Sequence, residues 1–152
     1  MIVSGSLTKE EIDHLLDRHY IARLGVYDQQ KVYIVPITYS YDSKSSSIIG
    51  ISGEGHKLKI LRKNPKVCVE IEKIEDITNW KTIIAWGDFE EITGSDAKLL
   101  VHEFVKKVSD KVNHDSPGQA KFLSDITAAG TDPKVIVYKI HLKEKSGRFE
   151  RS

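Results

Sequence analysis

From about Ala22 the hydrophobic period of this chain changes from 3.6 residues to 2, and most of the alternating segments that follow are joined by turns too short for a crossover. Alternation at period 2 marks half-buried strands, and short connections force neighbouring strands to run antiparallel. Arg23 to Tyr27 reads as a strand, Asp28-Gln29-Gln30-Lys31 as a hairpin turn, and Val32 to Tyr41 as the returning strand. Further strands are expected at Ile48 to Ser52, around Val67, Val69 and Ile71, from Trp80 to Ile92, and from Lys134 to Leu142. Six strands without a βαβ rhythm point to a mainly antiparallel barrel or sandwich decorated by helices.

Two interruptions in these strands carry positional meaning. Pro36 cannot donate to a ladder, so its strand lies at an edge or carries a local break. Gly87, within Trp80 to Ile92, signals a bulge or a close backbone approach. Between and before the strands the helical period returns. Thr8-Lys9-Glu10-Glu11 is a capping box that opens a helix over Thr8 to Asp17, with Ile12, Leu15 and Leu16 as its apolar stripe. A second helix spans His56 to Lys63 and stops before Asn64-Pro65. A third, capped by Ser95, covers Asp96 to Val112 with a core stripe of Ala97, Val101, Phe104, Val105, Val108 and Val112. Gln119 to Ile126 forms a further short helix, and Lys143 to Ser152 reads as a polar tail, mobile in part. The core is expected to include Val67, Val69, Ile71, Ile83, Phe104, Val108 and Val137.

With 152 residues the chain fits one domain. Its 23 basic and 22 acidic residues leave a formal net charge of +1, which gives no field for nucleic acid or an anionic membrane. The one cysteine, Cys68, excludes an internal disulfide and any Cys-His metal framework, and its alternating context marks it as a strand residue. No signal peptide or membrane-length apolar run is present, so a cytoplasmic protein is expected. Catalytic chemistry is sparse. His114-Asp115-Ser116 cannot act as a triad, because adjacent residues do not orient one another as nucleophile, base and orienter. Glu10-Glu11 and Glu90-Glu91 place neighbours on different faces. An enzyme built this way relies on a cofactor for the hard step.

The segment Gly53-Glu-Gly-His-Lys-Leu-Lys-Ile-Leu-Arg-Lys-Asn-Pro65 stands apart. Lys57 falls in the first turn of a helix, where the free N–H groups and the positive dipole end attract anions and disfavour a lysine. A phosphate over that turn would account for it. The competing reading is a solvated face made of Lys57, Lys59, Arg62 and Lys63.

The order of Val35-Pro36-Ile37-Thr38-Tyr39, Gly55-His56-Lys57-Leu58 with Asn64-Pro65, Val67-Cys68-Val69-Glu70 and Ile83-Ile84-Ala85-Trp86-Gly87 resembles the pyridoxamine 5′-phosphate oxidase-related flavoproteins, in particular the branch that includes the nitroimidazole-resistance proteins. The resemblance covers roughly residues 8 to 142. It implies a six-stranded, Greek-key antiparallel split β-barrel with peripheral helices, filling residues 1–152 as one FMN-binding domain, and a homodimer with FMN at the subunit interface. It further implies that His56 and Lys57 contact the FMN phosphate, with Gly55 allowing close approach. Val35, Pro36, Ile37 and Thr38 would run beside the flavin ring, Ile51 and Ser52 beneath the ribityl chain, and Thr82 would approach from a later strand. Trp80 and Trp86 either stack near the flavin or pack across their strand. The activity implied is an FMN-dependent oxidoreductase acting on a small organic acceptor such as a nitroaromatic. A non-catalytic module for flavin or another phosphorylated ligand is the alternative, as is a split barrel using deazaflavin F420 or haem. Vitamin B6 oxidation is not implied. Pyridoxamine phosphate oxidase proper has arginines where this chain has Val35 and His56, and its C-terminal substrate-binding segment has no clear match here.

Overall fold

The computed structural model describes residues 1–152 and places eight strands in one antiparallel sheet with four helices around it. In chain order these are β1 (Val3–Ser6), α1 (Lys9–Arg18), β2 (Ile21–Tyr27), β3 (Val32–Thr38), β4 (Ser40–Asp42), β5 (Ser47–Ser52), α2 (His56–Lys63), β6 (Lys66–Asp76), β7 (Asn79–Ile92), α3 (Ser95–Asp115), α4 (Ala120–Thr131) and β8 (Ile136–Arg151). The sheet order is β3-β2-β6-β7-β8-β5-β4, with β1 added along β8. The sheet curls until β3 and β5 come close without sharing a ladder, which is the geometry of a split barrel. No helix is long and apolar enough to cross a membrane.

The local signals act where the sequence places them. The capping box forms, with the Glu11 N–H donating to Thr8 Oγ1 at 3.2 Å and the Thr8 N–H donating to Glu11 Oε1 at 3.0 Å. Asp28 closes the β2–β3 turn by accepting from the Gln30 and Lys31 N–H groups at 3.0 and 2.8 Å. Pro36 lies on β3, the edge strand, opposite Arg23. At Gly87 the β7–β8 register slips between Trp86 and Gly87, and a Cβ there would run into the His141 carbonyl.

Three expectations need correction. The stretch from Lys143 to Arg151 is not a loose tail, because it continues β8 and pairs with both β7 and β1. Lys143, Glu144 and Arg148 are exposed, whereas Lys145 turns inward to donate to Asp13, Tyr41 and Ser46, Gly147 is buried, and Phe149 packs against the core. The sheet therefore has eight strands instead of six: β1 was not anticipated, and the run Val32 to Tyr41 divides into β3 and β4. The cap of α3 is Gly94 at φ 75°, with no side-chain cap bond, and Ser95 is already helical.

Two apolar clusters hold the fold. The barrel interior is a cluster of 24 buried residues, including Leu24, Val67, Val69, Ile71, Ile83 and Tyr138. α1 closes one opening with Ile12, Leu15 and Leu16. Outside the barrel, Phe104, Val108 and Val112 of α3 and Ile126 of α4 cover Ile49 of β5, a second cluster of 5 buried residues. All seven residues expected in the core are buried, divided between the barrel and this outer layer except for Val137, which lies beside α3 and α4.

Candidate functional site

The split between β3 and β5 opens into a groove of about 370 Å³. Its floor comes from the barrel: Pro36, Ile37 and Thr38 of β3, Ile51 of β5 and Tyr138 of β8. Lys57 enters from the first turn of α2. The helical layer forms the roof, with Phe104 from α3 and Phe122, Asp125, Ile126 and Ala129 from α4.

Lys57 is the distinctive charge of this groove. Its Nζ lies 5.9 Å from the centre of the Tyr138 ring, and it makes no ion pair or hydrogen bond. Burial alone pushes its pKa below the ordinary lysine range, with no carboxylate to oppose the shift. An ammonium in such surroundings is costly unless an anion joins it. Arg62, five residues further along the same helix, makes the opposite arrangement. Its guanidinium donates to Glu54 at 2.8 and 2.9 Å and to Glu91 at 3.0 Å, which raises its pKa. One base of α2 is fully paired, and the one facing the groove is not.

Tyr138 adds a second unsatisfied group. Its hydroxyl is buried and has no hydrogen-bond partner, and burial raises its pKa. The ring lies across Gly50, where any Cβ would collide with it. Buried hydroxyls are ordinarily bonded, so an orphan beside an unpaired lysine is the local chemistry of a binding site.

The residues singled out from the sequence divide among several places. Pro36, Ile37, Thr38, Ile51 and Lys57 meet in the groove. Val35, pointing to the other side of β3 from Pro36, packs against the barrel core. Ser52 borders an adjoining hollow with Gly53 and Glu54, its Oγ donating to the Gly53 carbonyl at 2.8 Å. Gly55 caps α2 in an extended conformation at φ 173°, and a Cβ there would meet nothing within 4 Å, so the chain itself imposes no demand for glycine. His56 lies on the other side of the turn from Lys57, edge-on to Tyr33 with centroids 5.3 Å apart, in a separate cleft with Tyr27, Lys59 and Lys63. Thr82 is on the outer face of β7, donating to Glu70 Oε2 at 2.8 Å within a cluster where Arg23 pairs with Glu70 and Glu72. Neither tryptophan lines the groove: Trp86 is on that outer face, and Trp80 borders a hollow with Phe149 and Arg151.

Sequence reasoning missed Tyr138, Phe122, Asp125 and Ala129. Tyr138 read as one more strand residue, and the signal that could have found it is Gly50, which makes room for its ring on the paired strand. The α4 residues carry no motif and reach the groove only through tertiary packing. Ser47, His141 and Glu90 fall into a triad-like line, with His141 Nδ1 at 3.5 Å from Ser47 Oγ and Nε2 at 3.0 Å from Glu90. Ser47 is completely buried, so no substrate can reach it. No group of His, Cys, Asp and Glu is arranged to hold a metal ion. The exposed face of the sheet, by contrast, carries a contiguous apolar strip: Ile34 opposes Gly25, Gly25 opposes Cys68, and Cys68 opposes Trp86.

Comparison with known proteins gives a consistent outcome. A family model described as pyridoxamine 5′-phosphate oxidase matches residues 8–149. An uncharacterized protein of Rhizobium meliloti (strain 1021) is 27% identical over 146 residues, covering 93% of this chain and 92% of its own. Among solved structures, a FAD-binding protein from Mesorhizobium loti superposes with a TM-score of 0.78 at 20% identity, over 100% of both chains. A candidate 5-nitroimidazole antibiotic resistance protein from Bacteroides thetaiotaomicron gives a TM-score of 0.67 at 16% identity, over 99% of this chain and 91% of that one. A haem storage protein from Vibrio cholerae gives 0.64 at 10% identity, over 90% of each. At these identities the structural likenesses establish the fold.

Proposed function

The chain belongs to the pyridoxamine 5′-phosphate oxidase family, and from that premise we propose that it is an FMN-dependent oxidoreductase reducing a small organic acceptor, such as a nitroaromatic, with external reducing equivalents. The observation that carries this reading is Lys57, a half-buried cation with no partner at the end of a groove between two barrel strands. The groove fits a flavin phosphate ester: an unpaired ammonium for the phosphate, apolar walls at Ile37, Ile51 and Ile126 for the ring, and the orphan Tyr138 hydroxyl nearby. No histidine lines it, which favours flavin over a haem that would take an imidazole ligand.

Bound there, the isoalloxazine supplies the electron and hydride chemistry. The chain's own residues bind and shield. Lys57 would neutralise phosphate charge, Pro36, Ile37 and Thr38 of β3 would lie along the ring, and Phe122 and Ile126 of α4 would exclude water. Asp125 is the one carboxylate on the groove wall, and Lys121 holds it at 3.1 Å.

The reading includes a homodimer that buries the outer sheet face. Ile34 is 69% exposed and Trp86 40% exposed, and Gly25 and Cys68 between them leave a shallow trough suited to a second copy. Thr82 shares that face, so any contact it makes with a flavin comes from the partner subunit. Ile34→Asp is expected to convert dimer to monomer in light scattering, and an unchanged mass would remove this face from the assembly.

The absorption spectrum of the purified protein, followed by titration of apo-protein with FMN, tests the cofactor. Failure to bind FMN at high micromolar concentration would sink the reading. The absence of a histidine, cysteine or unpaired carboxylate from the groove supports a second reading, a flavin-holding module without turnover. Oxidation of NADH or NADPH in the presence of an acceptor separates the two.

A further inference from the structure

We propose that the cleft between the β2–β3 turn and α2, on a different face of the helix from the groove, is a second anion site that takes the adenosine diphosphate end of a dinucleotide. The cleft measures about 380 Å³, within the range of small-ligand pockets. Lys59 and Lys63 stand one helical turn apart on its wall, with His56 a turn earlier. Like charges at this spacing repel. Neither lysine has an acidic partner, although Arg62 beside them is held by two glutamates.

The cleft's one carboxylate does not neutralise them. Asp28 is turned into its own hairpin, where Oδ1 accepts from two backbone N–H groups. Tyr27 contributes a further part of the wall, anchored at its hydroxyl and at its backbone. Its hydroxyl donates to the Gln29 carbonyl at 3.1 Å, and its own carbonyl accepts from Asn64 Nδ2 at 3.1 Å. A half-exposed aromatic ring held in this way is a stacking platform for a purine. Two unpaired ammonium groups beside such a platform match a diphosphate joined to a base.

The cleft and the groove meet at the first turn of α2. Consecutive residues on a helix diverge by about 100°, so Lys57 faces the groove and His56 the cleft. A flavin adenine dinucleotide with its flavin-side phosphate at Lys57 would cross this turn and place its adenylate in the cleft. A nicotinamide dinucleotide donor would present the same adenosine diphosphate group. The shared chemistry is that group, and its source is a matter for titration.

Calorimetric titration with ADP at low ionic strength tests the cleft without any flavin present. Wild-type protein is expected to bind ADP saturably, and Lys59→Ala/Lys63→Ala to weaken it about tenfold, a loss that Lys59→Arg/Lys63→Arg largely restores. Lys57→Ala should leave ADP affinity within about twofold, since it faces away from the cleft. Absence of saturable ADP binding, or equal binding by the double alanine variant with its fold intact by circular dichroism, overturns the proposal. Titrations with FAD and FMN then identify the source. An affinity margin for FAD that disappears in the double alanine variant assigns the cleft to the flavin's own tail. Equal flavin affinities, with NADPH displacing ADP, assign it to the electron donor. If Lys57→Ala leaves FMN binding untouched, the flavin reading fails while the ADP result stands by itself.

Discussion

The floor and the roof of the groove are built to different standards. The floor belongs to a barrel whose interior holds 24 buried residues and whose strands are tied by long ladders, the longest between β7 and β8. The roof depends on α4, which contributes a single buried side chain, Ile126, and packs chiefly on α3. A preformed floor fixes where a flat ligand lies. A lightly held roof lets it enter. Local stability follows buried apolar contact, so opening motions belong to the roof.

The hardest test of the floor is Gly87→Val. The new side chain meets the His141 carbonyl, which is backbone and cannot swing away. A loss of roughly 4 kcal/mol or more is expected in urea unfolding, at the extreme of single substitutions. A value near zero would mean that the bulge moves freely and that the floor is no firmer than the roof. Next is Leu24→Ala, at a fully buried barrel position, with an expected cost of about 2–5 kcal/mol. Between floor and roof, Lys57→Ala is expected to weaken FMN binding by roughly 1.5–3 kcal/mol, the range for charge-assisted hydrogen bonds. Lys63→Ala should leave FMN binding nearly unchanged, because it lines the other cleft.

The roof itself should yield small numbers. Ile126→Ala is expected to cost about 1–2 kcal/mol, below the usual range for buried isoleucine because its surroundings can collapse onto the gap. Amide exchange should be faster in α4 than in β6 to β8, and should slow when FMN is added. Equal protection in the two regions would erase the contrast. The smallest effect is one of pH. Burial holds the Lys57 pKa below the ordinary lysine range, so in that alkaline window the unfolded chain binds more protons than the folded one. Apo-protein stability therefore gains slightly as pH rises through the window, while FMN affinity falls as the ammonium is lost. Lys57→Ala should flatten both slopes.

The sequence disclosed the fold wherever one residue type carried one physical demand. Pro36 required an edge, Gly87 a slipped register, and Thr8 with Glu11 a helix start. It hid the second half of β8 because Lys143, Glu144 and Lys145 look like a solvated tail, even though Lys145, Gly147 and Phe149 alternate as a strand does. The groove was partly legible, since Lys57 is misplaced at a helix start unless something negative sits near it. Its roof was not, because Phe122 and Asp125 acquire their role only when a distant helix folds across. The separation of His56 from Lys57 was within reach of helix geometry, which sends adjacent residues in different directions.

The position of β8 in the sheet has a consequence for how this molecule comes into being. This last strand pairs with β1, β5 and β7, joining segments from nearly the whole length of the chain. A ribosome delivers it after everything it must join. Until then β4 and β5 have no route into the sheet, and the edge of β7 remains open to the solvent and to neighbouring nascent chains. Pairings so distant in sequence make for slow closure. Synthesis of this barrel therefore ends with its most dangerous moment, when a nearly finished sheet waits for the strand that seals it.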